Sequence, residues 1–401
     1  MHLMIIGTHP LQTTGYSKVM YNIIKQLENY SDIFVSVFGI QKFTDVNDNI
    51  RSDIEGHNVL LWDVYKNDKE DFGFGTQTLR QFVLNNNPDV VMVYNDPNVV
   101  DKYIQNLNLI PNRKFKIVVY LDQIYDFQSE NTLNYICNNS DHIFCFTDYW
   151  LQNLRGYVPD FKRCSVLRHG LSTDKIKPLN SAECKLQINF KDTDFIFLNL
   201  NRNQSRKRLE FTVIGFVKFL KRYRPDNAYL FFPNLRDAKG IDIIETFKYE
   251  LRREGLNKDY INFLKFTPLD RVLTDDEINL IYNACDVGVN TCEAEGFGLC
   301  SYEHAILGKP QIVSNLGGLK DYFNISNSMP LEPKWRVYTN NGGDLSGDSN
   351  LIDVEDVCEA MGKYYSDKGL YQTHSKALSS ILEKYNWEKE VQHLVKTIKS
   401  L

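Results

Sequence analysis

The stretch VGVNTCEAEGFGLCSYE, residues 287–303, decides the fold class. Residues 287–290 read as a short buried strand, and a polar turn carrying Glu295 follows. Gly296-Phe297-Gly298-Leu299 then opens a helix reaching about Leu307, which Gly308, Lys309 and Pro310 stop before the next apolar run. Strand, glycine turn and helix in that order belong to a parallel sheet with crossover helices. Gly296 and Gly298 carry no side chain where the backbone turns, so amide N–H groups can approach a ligand closely. The start of the helix offers unpaired N–H groups and the positive end of its dipole to an anion. Glu303 stands about one turn into the helix, and an ionised carboxylate accepts two hydrogen bonds, which suits the vicinal diol of a ribose. Glu295, on the turn itself, sits where a sugar attached to a diphosphate lies. The alternative for residues 295–303 is a glycine-rich turn with two solvated glutamates.

Outward from this motif the same alternation repeats. Strands are expected at 195–199, 228–232, 261–266, 287–290 and 311–314, with helices at 208–222, 241–254 and 275–284 between them. Thr274 and Glu277 form a capping box at the start of the last of these. The first half reads as strands at 3–6, 33–38, 59–62, 90–94, 117–121, 142–147 and 165–169. Val19, Met20, Ile23, Ile24 and Leu27 recur at helical spacing between the first two, and Pro97 opens a later helix, where its missing N–H costs nothing. Residues 170–186 are polar, contain Pro178 and read as a linker. Residues 324–350 are rich in Asn, Gly, Ser and Pro and read as loop or irregular insertion. Two similar α/β halves joined by a linker predict a cleft, with ligands outside the carboxyl ends of the strands.

The second chemical signal is FIFLNLNRNQSRKRLE, residues 195–210. Arg202, Arg206, Lys207 and Arg208 lie within one short loop after a strand, where they can grip a diphosphate. Cations at a helix start oppose the dipole unless an anion compensates. Arg202 and Lys207 are the expected ligands, with Arg206 and Arg208 facing water. The first βα turn, GTHPLQTTGYS at 7–17, is not GxGxxG, but Gly15 places a bare backbone point at a helix start. Asp122 and His169 each follow a strand, as a ligand contact or as a cap or loop hydrogen bond.

The chain's 401 residues exceed what one core usually serves, so two domains are expected. A formal net charge of −5 gives no footprint for nucleic acid. Eight cysteines without a CxxC pair read as buried free thiols in a reducing compartment. His169 and His304 have no partner at metal-ligand spacing, so no metal is expected. The opening MHLMIIGTHP is too short in apolar character for a signal peptide, and no run approaches a membrane span. A soluble, cytoplasmic protein is expected, with peripheral membrane contact and oligomer formation left open.

Taken together, these positions resemble the retaining glycosyltransferases of family 4, which have the GT-B fold: two Rossmann-like, doubly wound parallel-sheet domains facing a central cleft. Glu295 and Glu303 match the family's E-x7-E motif, and Arg202 and Lys207 match its diphosphate-binding Arg and Lys. YNACDVGVNTCEAEGFG, GKPQIVSNLGGLKD and HGLSTDKIKPL resemble the runs before, after and between domains, and YNWEKE resembles the start of a helix returning to the first domain. The resemblance implies an acceptor-side domain at 1–174, with helix 387–401 packing back on it, and a donor-binding domain at 175–386.

By the same resemblance Glu303 holds the ribose and Glu295 the transferred sugar's hydroxyls. Backbone groups around Gly296, Phe297, Gly298 and Leu299 orient sugar and phosphate, while Arg202 and Lys207 neutralise the leaving diphosphate without a metal or cofactor. Gly15 and His169 fall on the donor side. Asp122 stands where the family commonly has a His that contacts the donor sugar, which leaves the donor's identity open. The substrates implied are a GDP- or UDP-linked hexose, with a lean to GDP-mannose, and a glycan-type acceptor. A non-catalytic nucleotide-sugar-binding protein or partner subunit of the same fold is the alternative. A nicotinamide-dependent oxidoreductase fails on the missing GxGxxG.

Overall fold

Seven apolar runs of the first half pair as one parallel sheet in a computed structural model that describes residues 1–42, 54, 59–68, 71–233, 240–267, 273–339 and 346–401. The strands are β1 (His2–Thr8), β2 (Phe34–Ile40), β3 (Val59–Asp63), β4 (Val90–Asn95), β5 (Lys116–Leu121), β6 (His142–Cys145) and β7 (Cys164–Val166). Their order is β3-β2-β1-β4-β5-β6-β7. Leu3 to Ile6 and Val91 to Val93 are wholly buried, the mark of strands covered on both faces. The helix Gly15–Leu27 buries the predicted stripe Val19, Met20, Ile23, Ile24 and Leu27, and Thr14 with Ser17 forms a capping box at its start.

A second parallel sheet contains β8 (Phe195–Leu198), β9 (Ala228–Phe232), β10 (Leu264–Phe266), β11 (Val287–Asn290), β12 (Gln311–Ser314) and β13 (Met329–Leu331), in the order β10-β9-β8-β11-β12-β13. Phe197, Phe216, Phe219, Phe247 and Met361 pack together on one side of it, and Ile196, Leu198, Ile281 and Tyr282 on the other. Two parallel sheets, each flanked by helices, make the fold GT-B. The chain divides into one unit of Met1–Gly170, Thr339–Gly347 and Tyr385–Leu401 and another of Leu171–Tyr338 and Asp348–Lys384.

Within the first unit the C-terminal helix Trp387–Lys399 is fixed by polar contacts. The amide of Arg168 donates to Glu390 at 2.8 Å, and His393 Nε2 lies 3.1 Å from Ser165 Oγ. Gly170 is needed there because a Cβ would lie 2.4 Å from the Trp387 backbone nitrogen.

Several boundaries differ from the sequence reading. Residues 324–350 hold β13, β14 (Trp335–Thr339) and β15 (Gly347–Leu351), the last two paired as a small sheet, while 340–345 lie outside the described residues. Pro330 masks β13, which tolerates it as an edge strand bonded on one side only. The expected strand 261–266 is a 3-10 turn, Lys258–Phe263, followed by β10. The linker at 170–186 contains the start of helix Ser181–Gln187, whose first amides donate to the Asn180 side chain.

Burial takes His169 and His304 down to about 3, with Lys309 adding to the effect at His304. Their unfolded value is about 6.5. Between these limits the unfolded chain binds more protons, so each histidine contributes stability in full above about pH 6.5 and loses it as pH falls. The slope is about 1.4 kcal/mol per pH unit for each group. Urea midpoints should therefore drop between about pH 7.5 and 5; a midpoint that holds or rises contradicts the burial of these rings.

Candidate functional site

In the second sheet the strand order reverses between β8 and β11. Loops leaving the carboxyl ends of two such strands diverge and open a crevice at the sheet edge. β8 runs into the polar segment from Asn199, through a 3-10 turn at Ser205–Lys207, to helix Leu209–Tyr223. β11 runs through residues 291–298 to helix Leu299–Ala305. The two chemical signals of the sequence therefore flank one switch point.

Main-chain and hydroxyl bonds stitch the loops together. The amide of Glu293 donates to Arg206 O at 2.9 Å, and Thr291 Oγ1 donates to Arg208 O at 2.8 Å. Arg208 adopts a left-handed φ of 47°, ending the 3-10 turn and starting the helix. This geometry delivers Lys207 Nζ onto Glu295 Oε2, with the two side chains almost fully buried. Arg206 lies 3.7 Å from Glu295 Oε1 and donates to Ala294 O at 3.1 Å, so it belongs to the cluster instead of facing water. Arg208 also turns inward, pairing with Glu293 and Glu210. Arg202 is exposed, and its guanidinium makes no ion pair or hydrogen bond among the described residues.

Burial by itself raises the Glu295 carboxyl. The charges of Lys207 and Arg206, with hydrogen bonds from Lys207 and Asn290, outweigh it and leave the group below the ordinary carboxylate range. Glu295 is thus an anion held in place by cations, the reverse of a solvated glutamate.

Glu303 is 5% exposed and accepts a hydrogen bond of 3.1 Å from the Tyr282 hydroxyl. Its helix begins at Leu299, with Gly298 as N-cap at φ 93°. Gly296 and Phe297 lie against the 3-10 turn Gly317–Asp321, where the Gly318 amide donates to Glu295 O at 3.1 Å. Phe297 is buried and stacks on Tyr302 at 4.3 Å, and Leu299 is half-buried. Gly298→Ala should cost about 1–2 kcal/mol from the left-handed backbone. Contact adds to that cost, since a Cβ there would sit 2.5 Å from Leu319 Cδ2. A denaturation midpoint equal to that of the unaltered protein refutes this account of the turn.

The remaining predicted residues lie in the first unit. Asp122 follows β5 and accepts a hydrogen bond from the Tyr16 hydroxyl. Gly15 is exposed at the first position of its helix, without a positive φ and with open space where a Cβ would be, so the backbone there does not require glycine. His169 is 4% exposed, ringed by Phe146 at 4.3 Å, Tyr120 at 5.6 Å and Trp387 at 6.2 Å between centroids. Tyr16 and Asp96 escaped the sequence reading. Asp96 directly follows β4, so the strand-end rule that selected Asp122 applies equally to it. Among the described residues no group of three or more His, Cys, Asp or Glu is placed to hold a metal, and no helix is long and apolar enough to cross a membrane. None of the eight cysteines is in a disulfide; seven are buried and Cys300 is half-buried.

Comparison with known proteins agrees with this fold. A family model described as "Family 4 Glycosyltransferase in conflict systems" matches residues 261–394, which contain Glu295 and Glu303. Sucrose-phosphate synthase from Thermosynechococcus elongatus is similar in structure, with a TM-score of 0.75 at 15% identity over 100% of this chain and 98% of that one. Anabaena HepE, solved in complex with UDP and glucose, has a TM-score of 0.71 at 14% identity over 100% of both chains. A trehalose-6-phosphate structure from E. coli bound with UDP-2-fluoro glucose has a TM-score of 0.68 at 13% identity over 100% and 99%. No curated protein matches the sequence.

Proposed function

We propose that the protein is a retaining hexosyltransferase that draws on a nucleotide diphosphate-sugar without a metal ion. The observation that carries this reading is the cluster of Lys207, Arg206 and Glu295 at the switch point of the second sheet, with Glu303 on the adjoining helix. Negative charge builds on a leaving diphosphate as the anomeric carbon becomes oxocarbenium-like. Fixed cations stabilise that charge without reorganising at the moment of reaction. Lys207 and Arg206 supply them, and Arg202 adds an exposed guanidinium on the same loop. Glu295 then accepts hydroxyls of the transferred sugar, and Glu303 accepts those of the ribose. In this reading the second unit holds the nucleotide, while Gly15 and His169, expected to bind the donor, and Asp122, expected to act in catalysis, belong to the first unit.

For the donor we favour a UDP-hexose over GDP-mannose, since HepE and the E. coli protein are both described with UDP or a UDP-sugar. The test is to incubate the purified chain with UDP-glucose, UDP-N-acetylglucosamine and GDP-mannose, with and without glycan acceptors, in the presence of a chelator. Release of UDP from one donor supports the proposal. Release of GDP alone overturns the donor choice. Tight binding with no release under any condition favours a non-catalytic nucleotide-sugar-binding protein.

A further inference from the structure

The carboxyl edge of the first sheet carries the same dipeptide twice. Asp71-Phe72 lies in the turn that meets the end of β2, where the Gln41 amide donates to Gly73 O at 2.9 Å. Asp126-Phe127 lies in the segment leaving β5. In both, the phenylalanine has a left-handed backbone, with φ 48° at Phe72 and 54° at Phe127. Glycine and asparagine take that conformation cheaply, and a bulky side chain does not. Of the eight non-glycine residues with positive φ among the described residues, three are asparagines and only these two are aromatic. Burial does not compensate them. The rings are 78% and 64% exposed and make no aromatic or cation contact among the described residues. Asp160-Phe161 and Asp194-Phe195 show the ordinary alternative. Their backbones avoid positive φ, Phe161 packs against Arg155 at 5.0 Å, and Phe195 meets Phe197 at 5.1 Å.

The two aspartates are matched as well. Asp71 Oδ2 accepts from the Thr76 amide at 3.1 Å and from its hydroxyl at 2.6 Å. Asp126 Oδ1 accepts from the Tyr149 hydroxyl at 2.6 Å and from Asn153 Nδ2 at 3.1 Å. Each carboxylate is fixed through one oxygen. The other oxygen accepts no hydrogen bond, and neither carboxylate has a cationic partner, among the described residues.

We propose that the two Asp-Phe turns are paired subsites for a neutral oligosaccharide, each ring stacking on one pyranose and each remaining carboxylate oxygen accepting one of its hydroxyls. That this saccharide is the acceptor of sugar transfer rests on the transferase reading; its binding at the turns does not.

A pyranose has an apolar face of C–H groups and a rim of hydroxyls. The C–H face suits the negative face of a phenyl ring, and the hydroxyls suit a carboxylate, which only accepts. Two carboxylates without cations repel a phosphate or a uronate, so the ligand is uncharged. The order β2-β1-β4-β5 sets the two turns three strand spacings apart, roughly 14 Å. That is more than one pyranose ring spans, so the ligand is a chain of sugars. A strained backbone that serves no packing is the kind retained for a ligand. Asparagine at either position keeps the turn and removes only the ring.

The experiment presents the full chain to an array of glucose, mannose, galactose and N-acetylglucosamine oligomers, from monomers to hexamers, with their phosphorylated and uronate counterparts. Neutral oligomers should bind and outrank both the monomers and the charged forms. Titration of the strongest binder should then show about a tenfold loss of affinity in Phe72→Asn and again in Phe127→Asn. Phe127→Tyr, which keeps the ring, should bind as the unaltered protein does. Both asparagine variants should melt at or above the temperature of the unaltered protein. Binding of no neutral oligomer, preference for a charged one, unchanged affinity in both variants, or a lower melting temperature in both overturns the proposal. If the oligomer binds as stated but no donor releases its nucleotide, the subsites stand and the transferase reading falls. If a donor is turned over with a KM for the oligomer that both variants leave unchanged, the subsites fall and the transferase reading stands.

Discussion

Replacing Lys207 with methionine should produce the largest loss of any single change in the second unit, in stability and in turnover together. Lys207 Nζ is bonded to Glu295, and the residues are 7% and 5% exposed. Removing one partner of a buried ion pair typically costs about 3–5 kcal/mol, because the other charge stays behind uncompensated. Arg206, at 3.7 Å, offsets only part of that. Turnover should fall about 10²–10³-fold, as when one preorganised electrostatic donor is lost.

The pH dependence separates this account from a general loss of packing. In the unaltered protein the folded Glu295 carboxyl lies below its unfolded value of about 4.3. It therefore contributes stability above that value and loses it as pH falls through the lower folded one. Without Lys207, burial dominates and raises the folded value above about 4.3. The variant should then be relatively more stable in acid and weaken as pH rises through that raised value. Adding Glu295→Gln removes the stranded charge, so the double variant should recover most of the stability and none of the turnover. Urea denaturation at two pH values, alongside a nucleotide-release assay, measures both effects. A single variant as stable and active as the parent at both pH values would remove Lys207 from the site.

Glu303→Gln should weaken binding of UDP itself by about 10- to 150-fold, which corresponds to one charge-assisted hydrogen bond of about 1.5–3 kcal/mol. Glutamine is the informative choice because its carbonyl still accepts the 3.1 Å bond from Tyr282, so the helix keeps its buried contact. Alanine would leave that phenol unpaired and confuse binding with folding. Glu295→Gln should do the opposite, leaving UDP affinity nearly intact while impairing UDP-sugar binding and transfer. Calorimetry with UDP and UDP-glucose on both variants gives four affinities. Equal losses in all four would mean that the two carboxylates do not divide the ligand between ribose and hexose.

Both parallel sheets were legible in the sequence because strands covered on both faces are written as unbroken apolar runs: MHLMIIG and DVVMVYN are buried almost throughout. Helix starts were legible where a local side chain caps its own backbone, as Thr274 does for Glu277. Less visible was β13, three residues long with a proline in the middle, because an edge strand depends on its neighbour for definition. The same limit applied to Arg206 and Arg208, which a linear reading assigns to water as helix-start cations. Their carboxylate partners, Glu295 and Glu293, lie more than eighty positions away in the chain.

The sequence by itself determined the periodicities, the glycine turn after residue 290 and the residue types at the strand ends, since each depends on neighbours a few positions apart. Tertiary structure alone decided which charges meet. Strand order set β8 beside β11 and β1 beside β4, and that order placed Lys207 on Glu295 and Tyr16 between Asp96 and Asp122. The physical reason is that an ion pair or a hydrogen bond is fixed by distances of a few ångströms in space, which folding sets independently of separation along the chain.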